Sequence, residues 1–350
     1  MLPLRQKTEF GRLREVVLGR TAGTTFPPKS PANANFTDKI AKLGAGFYDQ
    51  FEEGEEVLVY EHLPELIDFW DQCHNDLTKA YESEGVIVQR TALPTKSIRN
   101  TFGFRPHGLW PFSIANFWMI FGNVVVETGM SDNILASAAA TFTGRDLLLE
   151  RFDNDPDAIL LSGLPGMPAD GVKEGKGPGP WLTCGDIRLI DEKNVLVGNG
   201  VTKGKTETST SNARGAEILR RILKPFGYEV HRIDYDANYS FHFDYILGLC
   251  APGVATTPVK AYIGGVPKVL KDWDLIDITK DECSIHAAGN TVSLGPDDSG
   301  QYRVMTPMKT DRVNKEIEKR GIRTVNVEIE YGAGFGSGIR CATLVTNRDD

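Results

Sequence analysis

No apolar run in this 350-residue chain approaches the roughly 20 residues that a membrane helix needs. The opening Met1-Leu-Pro-Leu-Arg-Gln-Lys-Thr-Glu-Phe10 also lacks the apolar core of a signal peptide. A cytoplasmic protein with no membrane partner is expected. Positive charge is short as well. The 39 Lys and Arg stand against 47 Asp and Glu, a net charge of −8, which argues against a nucleic-acid partner because phosphate binding needs concentrated basic residues. Cysteine is scarce and scattered: the 5 cysteines (Cys73, Cys184, Cys250, Cys283, Cys341) are odd in number and show no CxxC spacing. That excludes a disulfide framework or a zinc motif, so the thiols read as reduced and neither metal nor cofactor is expected.

What is present suits small-molecule chemistry. With 41% hydrophobic and 25% charged residues the chain can bury a substantial core. No shift in composition divides it. The Pro-, Gly- and Asp-dense stretch from Arg151 to Pro180 reads as a connection within one domain spanning 1–350, because strands resume on both sides in the same style. A helix, glycine, strand unit recurs. Apolar residues Leu66, Ile67, Trp70, Leu77 and Tyr81 predict a helix over 63–82, followed by Gly85 and a strand at 85–89. Ala216–Leu223, Gly227 and Tyr228–Ile233 repeat the order, and Asp311–Arg320, Gly321 and Ile322–Ile329 repeat it again. The result is an α/β protein assembled from repeated units. Strands are also expected at 13–19, 117–126, 186–197 (broken near 191–194) and 245–249; Gly122-Asn123 marks a hairpin within 117–126.

Chemistry centres on the run from Tyr331 to Cys341, where Gly332, Gly334, Gly336 and Gly338 deliver one cysteine to the start of a β-prone stretch, Ala342–Val345. Cys341 is either a small core thiol or a nucleophile, and a nucleophile needs a base nearby. Phe241-His-Phe-Asp244 is a candidate source. Read as the start of a strand, it points His242 and Asp244 to one face and Phe241, Phe243 and Tyr245 to the core. His242 is then an acid/base or a satisfied core histidine. Asp186, just before a strand, is a carboxylate for the site or a turn cap.

These stretches together resemble the arginine amidinotransferases, within the wider superfamily that modifies guanidino groups. The resemblance rests on Glu9-Phe-Gly-Arg-Leu-Arg-Glu-Val-Val-Leu-Gly19, Phe121-Gly-Asn-Val-Val-Val-Glu-Thr-Gly-Met130, Phe241-His-Phe-Asp244 with Ala251-Pro-Gly253, and the glycine-rich loop before Cys341. Arg214-Gly-Ala-Glu217 is more similar to the dimethylarginine hydrolase branch. The resemblance implies a five-bladed pseudo-symmetric α/β propeller of ββαβ repeats. It also implies a small-molecule guanidine donor and an amine acceptor as partners, with a homodimer allowed. Cys341 matches the nucleophile, His242 the acid/base and Asp244 the carboxylate that grips the guanidinium. Asn116 stands where the family has an aspartate, and Thr183, ahead of Asp186, stands where transferases have an acid. Asn116, Lys260, Asn290 and Arg340 are further candidates for substrate contact, and loops at 21–35, 129–143 and 281–290 for specificity. Three activities follow: amidino transfer, hydrolysis with water as acceptor, and binding without turnover.

Overall fold

The computed structural model describes residues 2–26, 47–55, 57–93, 112–116, 118–128, 139–161, 180–202, 211–329 and 338–349. Among them, five three-stranded sheets share one pattern: an antiparallel pair whose inner strand pairs in parallel with a third. Trp118–Phe121 runs against Val124–Glu127, which carries Ile159–Leu161 alongside. The sets Ile187–Leu189, Asn194–Val201, Glu229–Asp236 and Gly248–Ala251, Val254–Thr257, Asp274–Asp277 follow suit, as does Val292–Pro296, Tyr302–Pro307, Arg323–Val327. The remaining sheet joins the two ends of the chain, since Arg12–Leu18 pairs antiparallel with Thr343–Asp349 and parallel with Ile87–Arg90. That pairing carries Cys341 back to the N-terminal strand.

A parallel third strand requires a crossover, and helices supply it. Pro64–Ser83 buries Ile67, Trp70, His74, Leu77 and Tyr81, a stripe at helical spacing. Ala213–Leu223 opens on Asn212, whose side chain accepts from the Gly215 amide and so satisfies one of the free donors of the first turn. Gly85, Gly227 and Gly321, each after a helix, have φ of 77°, 86° and 76°, a left-handed turn that a Cβ would strain. The recurring glycine is thus the stop that turns the chain into its parallel strand. Ala139–Asn154 serves the second sheet, leaving through Asp155-Pro-Asp157 rather than glycine. The fourth crossover has two 3-10 turns, Val259–Ala261 and Lys268–Leu270, in place of an α-helix.

Two expectations are corrected. Phe243–Ile246 is one turn of α-helix, and the strand begins later, at Gly248. Phe241 is 43% exposed instead of buried with Phe243 and Tyr245. Part of the expected loop at 281–290 is helical too: Lys280–Ser284 starts on a capping box between Thr279 and Glu282. Among the described residues no helix is long and apolar enough to cross a membrane.

Candidate active site

Cys341 follows Gly338 in a tight turn closed by Ala342 N–H donating to the Gly338 carbonyl (3.1 Å) and Thr343 N–H to that of Arg340 (3.0 Å). The glycines at 332, 334 and 336 lie outside the described residues. The Cys341 carbonyl accepts from the Ala115 amide at 3.1 Å, so the turn is anchored to the 3-10 turn Ile114–Asn116. The thiol is fully buried. It donates to Asp244 Oδ2 at 3.4 Å and accepts from Asn290 Nδ2 at 3.3 Å. Burial pushes its pKa up and the neighbouring Asp244 carboxylate adds to the rise, while the Asn290 hydrogen bond works the other way.

His242 is extended (φ −121°, ψ 149°) at the start of the one-turn helix that carries Asp244. Strand alternation is therefore not what brings the two together. The turn is pinned by Asp186 Oδ1, which accepts from the Phe243 amide at 2.8 Å, and by Gly198, where a Cβ would lie 2.2 Å from Phe243 Cβ. One possible ligand or reacting atom each from His242, Asp244 and Cys341 falls within 4.8 Å of the others. That spacing suits a thiol, its base and a carboxylate, and Asp244 Oδ2 already shares the thiol proton. Both ring nitrogens of His242 and Asp244 Oδ1 are buried without a hydrogen-bond partner among the described residues. Buried polar atoms are nearly always paired, so these are positions at which a ligand, a water or an ion can supply the partner.

Arg340 lies beneath this trio. Its Nη1 donates to the Cys184 carbonyl (3.1 Å) and approaches Asp244 Oδ2 (3.5 Å), and its Nη2 donates to the Ile187 carbonyl (2.9 Å). Nε lies 3.5 Å from Glu9 Oε2, which also meets Arg188 Nη1 at 3.2 Å. Glu9 Oε1 accepts from the Leu189 amide at 2.9 Å. Burial raises the Glu9 pKa, but Arg188 and Arg340 outweigh it and hold the carboxyl below its ordinary value. Burial also works against charge on Arg340, and Glu9 and Asp244 more than restore it. Beside Arg340 is a cavity of about 30 Å³, room for one water, lined by Gln6, Glu9, Trp118, Met119, Arg340 and Arg348. Among the described residues its lining includes neither Cys341 nor His242.

The structure thus gathers Cys341, His242, Asp244, Asn290, Asp186 and Arg340. Thr183 is buried beside them, its carbonyl accepting from the Asp186 amide at 3.0 Å. Lys260 is exposed on the fourth crossover. The backbone of Asn116 adjoins the Ala115 amide that binds Cys341; its side chain lies outside the described residues, as do 27–35 and 129–138 of the expected specificity loops. Sequence reasoning missed the roles of Glu9 and Arg188. Glu9 stood only as part of a motif, and nothing local marks an ion pair formed across 179 positions.

No family model matches the chain. Its sequence is 24% identical to the mitochondrial glycine amidinotransferase of Gallus gallus over 99% of this chain and 83% of the relative. It is 23% identical to inosamine-phosphate amidinotransferase 1 of Streptomyces glaucescens, over 97% and 95%. Among solved structures, SxtG, an amidinotransferase from Microseira wollei in the saxitoxin biosynthetic pathway, superposes with a TM-score of 0.73 at 21% identity, covering 100% of this chain and 98% of that one. The chain has the amidinotransferase fold. A dimethylarginine dimethylaminohydrolase superposes less closely, with a TM-score of 0.58 at 13% identity over 95% and 99%. The amidinotransferase fold of this chain is therefore shared with hydrolases.

Proposed function

We propose that the protein transfers an amidino group from arginine or a related guanidine to an amine through a covalent Cys341 adduct. The observation that carries this reading is the meeting of a thiol, an imidazole and a carboxylate within 4.8 Å, with both His242 nitrogens and Asp244 Oδ1 buried and unbonded to the described residues. A planar guanidinium suits that set, because a carboxylate takes two of its N–H groups and the positive carbon faces the sulfur. The thiol proton passes to His242, Sγ bonds to the guanidino carbon, and the donor C–N bond breaks as the leaving amine takes the proton from His242. The acceptor amine then gives its proton to His242 and attacks the amidino carbon, and the C–S bond breaks to return the thiolate. Asp186 holds the backbone between His242 and Asp244.

In this reading the five sheets are blades of a propeller within one domain, with the site at the centre. The sequence likeness to curated amidinotransferases favours transfer. Hydrolysis with water as acceptor is the second reading, favoured by the likeness to dimethylarginine dimethylaminohydrolase. Intact-mass measurement after incubation with arginine and other guanidines tests the proposal. An amidino adduct mapped to Cys341, discharged by added amines, is expected. A Cys341→Ala protein with full turnover would refute it, and adduct discharge in water alone at the same rate would favour the hydrolase.

A further inference from the structure

We propose that Asn290 is a catalytic residue that stabilises the Cys341 thiolate, its side-chain amide donating to Sγ, rather than a contact for the substrate. This deepens the reading of Cys341 as nucleophile and rests on it. The orientation of the Asn290 amide follows from its surroundings. Oδ1 accepts from the Arg340 amide at 2.7 Å and the Cys341 amide at 3.4 Å, so Oδ1 must face the backbone and Nδ2, at 3.3 Å, must face the sulfur. The residue is fully buried. A hydrogen bond of this kind strengthens as the sulfur becomes charged.

The surrounding chain is shaped to bring Asn290 there. A Cβ on Gly338 would lie 2.3 Å from Asn290 Oδ1, and one on Gly289 would lie 1.9 Å from the Tyr245 carbonyl, so both glycines permit the close approach. The Asn290 backbone N–H donates to the Ala287 carbonyl at 2.8 Å, and Ala287 has a φ of 53°, a left-handed conformation costing an alanine about 1–2 kcal/mol. Thr256 Oγ1 fixes the same turn by donating to the Ala288 carbonyl at 3.1 Å. Strain of this kind persists where the surroundings hold it, and here it holds one amide against one sulfur. Among the described residues, the titratable and charged groups near Sγ are Asp244, Tyr245 and His242 from the one-turn helix and its leading residue, and Arg340 from the sulfur's own loop. Asp244 opposes ionisation of the thiol. Asn290 favours it without adding charge.

The test is the rate at which iodoacetamide alkylates Cys341, followed by peptide mass across a range of pH, in wild type and in Asn290→Asp and Asn290→Ala. A hydrogen bond to a charged group, partly offset by the greater nucleophilicity of a more basic thiolate, gives about threefold to tenfold slower labelling of Asn290→Ala below the thiol pKa. Asn290→Asp, which keeps the acceptor for the Arg340 amide and turns a carboxylate oxygen to the sulfur, is expected to be slower still. A purely structural role predicts the reverse, because loosened packing exposes a buried thiol and speeds its alkylation. Equal or faster labelling of folded Asn290→Asp overturns the proposal, as does failure of both variants to fold or absence of wild-type labelling at any pH. Alkylation uses no guanidine, so a wild type inert to arginine and to every other guanidine offered would refute the transfer reading and leave this result standing.

Discussion

Asp244→Asn should make Cys341 more reactive toward a neutral electrophile while abolishing turnover of a guanidine. A thiolate 3.4 Å from Asp244 Oδ2 would be repelled by about 5 kcal/mol at an effective dielectric of ~20. At an effective dielectric of ~40 the repulsion would be ~2.5 kcal/mol, close to two pK units. The carboxylate raises the thiol pKa, second to burial, so its removal should lower that pKa. A less basic thiolate is also a weaker nucleophile, with a Brønsted slope of about 0.4–0.5, so the gain in thiolate becomes a net acceleration of about tenfold below the pKa. The assay is iodoacetamide labelling read peptide by peptide. Cys184, Cys250 and Cys283, all buried with pKa values pushed up to about 12 by burial, serve as controls within the same molecule. Faster labelling of Cys341 alone supports the electrostatic account. Equal or slower labelling would refute it, and parallel acceleration of the other three would reassign the effect to loosened packing.

Gly338→Ala should cut activity by more than tenfold in steady-state assays, because its Cβ would meet Asn290 Oδ1 at 2.3 Å and push the amide from the sulfur. A variant with wild-type kcat would show that this approach is unnecessary. Glu9→Gln should cost about 3 kcal/mol at neutral pH in urea unfolding, since it removes the carboxylate that pairs with buried Arg188 and one of the two that face Arg340. The Glu9 pKa is lowered in the fold, so its contribution is present above the ordinary carboxylate value and fades as pH falls through the folded one. Wild type should therefore lose stability more steeply with acid than Glu9→Gln, and parallel slopes would contradict the assignment.

Periodicity and punctuation made the scaffold legible. The helix at 64–83, the hairpin around Gly122-Asn123 and the three glycine-stopped helices all follow from residues within a few positions of one another. The two remaining crossovers were hidden for local reasons. One leaves its helix through Asp155-Pro-Asp157, and the other replaces the helix with 3-10 turns. The site was legible as residue types and misread as geometry. Alternation around His242 and Asp244 suggested a strand, but the Asp186–Phe243 hydrogen bond and the space left by Gly198 hold a helical turn there. Those partners lie 57 and 45 positions away, beyond any local pattern. Asn290 and Arg340 were picked out as substrate contacts. In the fold both side chains also bond the protein: Asn290 Oδ1 accepts from the amides of Arg340 and Cys341 while its Nδ2 faces the sulfur, and Arg340 donates to the carbonyls of Cys184 and Ile187.

The charges around the sulfur connect recognition to reactivity. Glu9, Asp186 and Asp244 stand against Arg188, Arg340 and Arg348 in the described network, so the formal charges cancel while Cys341 is a thiol. Ionising the thiol adds a negative charge that these residues leave uncompensated, in keeping with its raised pKa. A bound guanidinium supplies the missing positive charge, and the cation should therefore bind more tightly to the thiolate form and lower the thiol pKa in return. A neutral urea of the same shape offers no such compensation. Binding of a cationic guanidine by a protein lacking both Cys341 and His242 should thus be independent of pH through the neutral range, while binding by His242→Ala, which keeps the sulfur and has no imidazole to take its proton, should strengthen as pH rises and release protons on the way. Calorimetry in buffers of different ionisation enthalpy reads that proton count directly. If His242→Ala released no protons on binding a guanidine, or released as many on binding a urea, the coupling between substrate charge and thiol ionisation would be wrong.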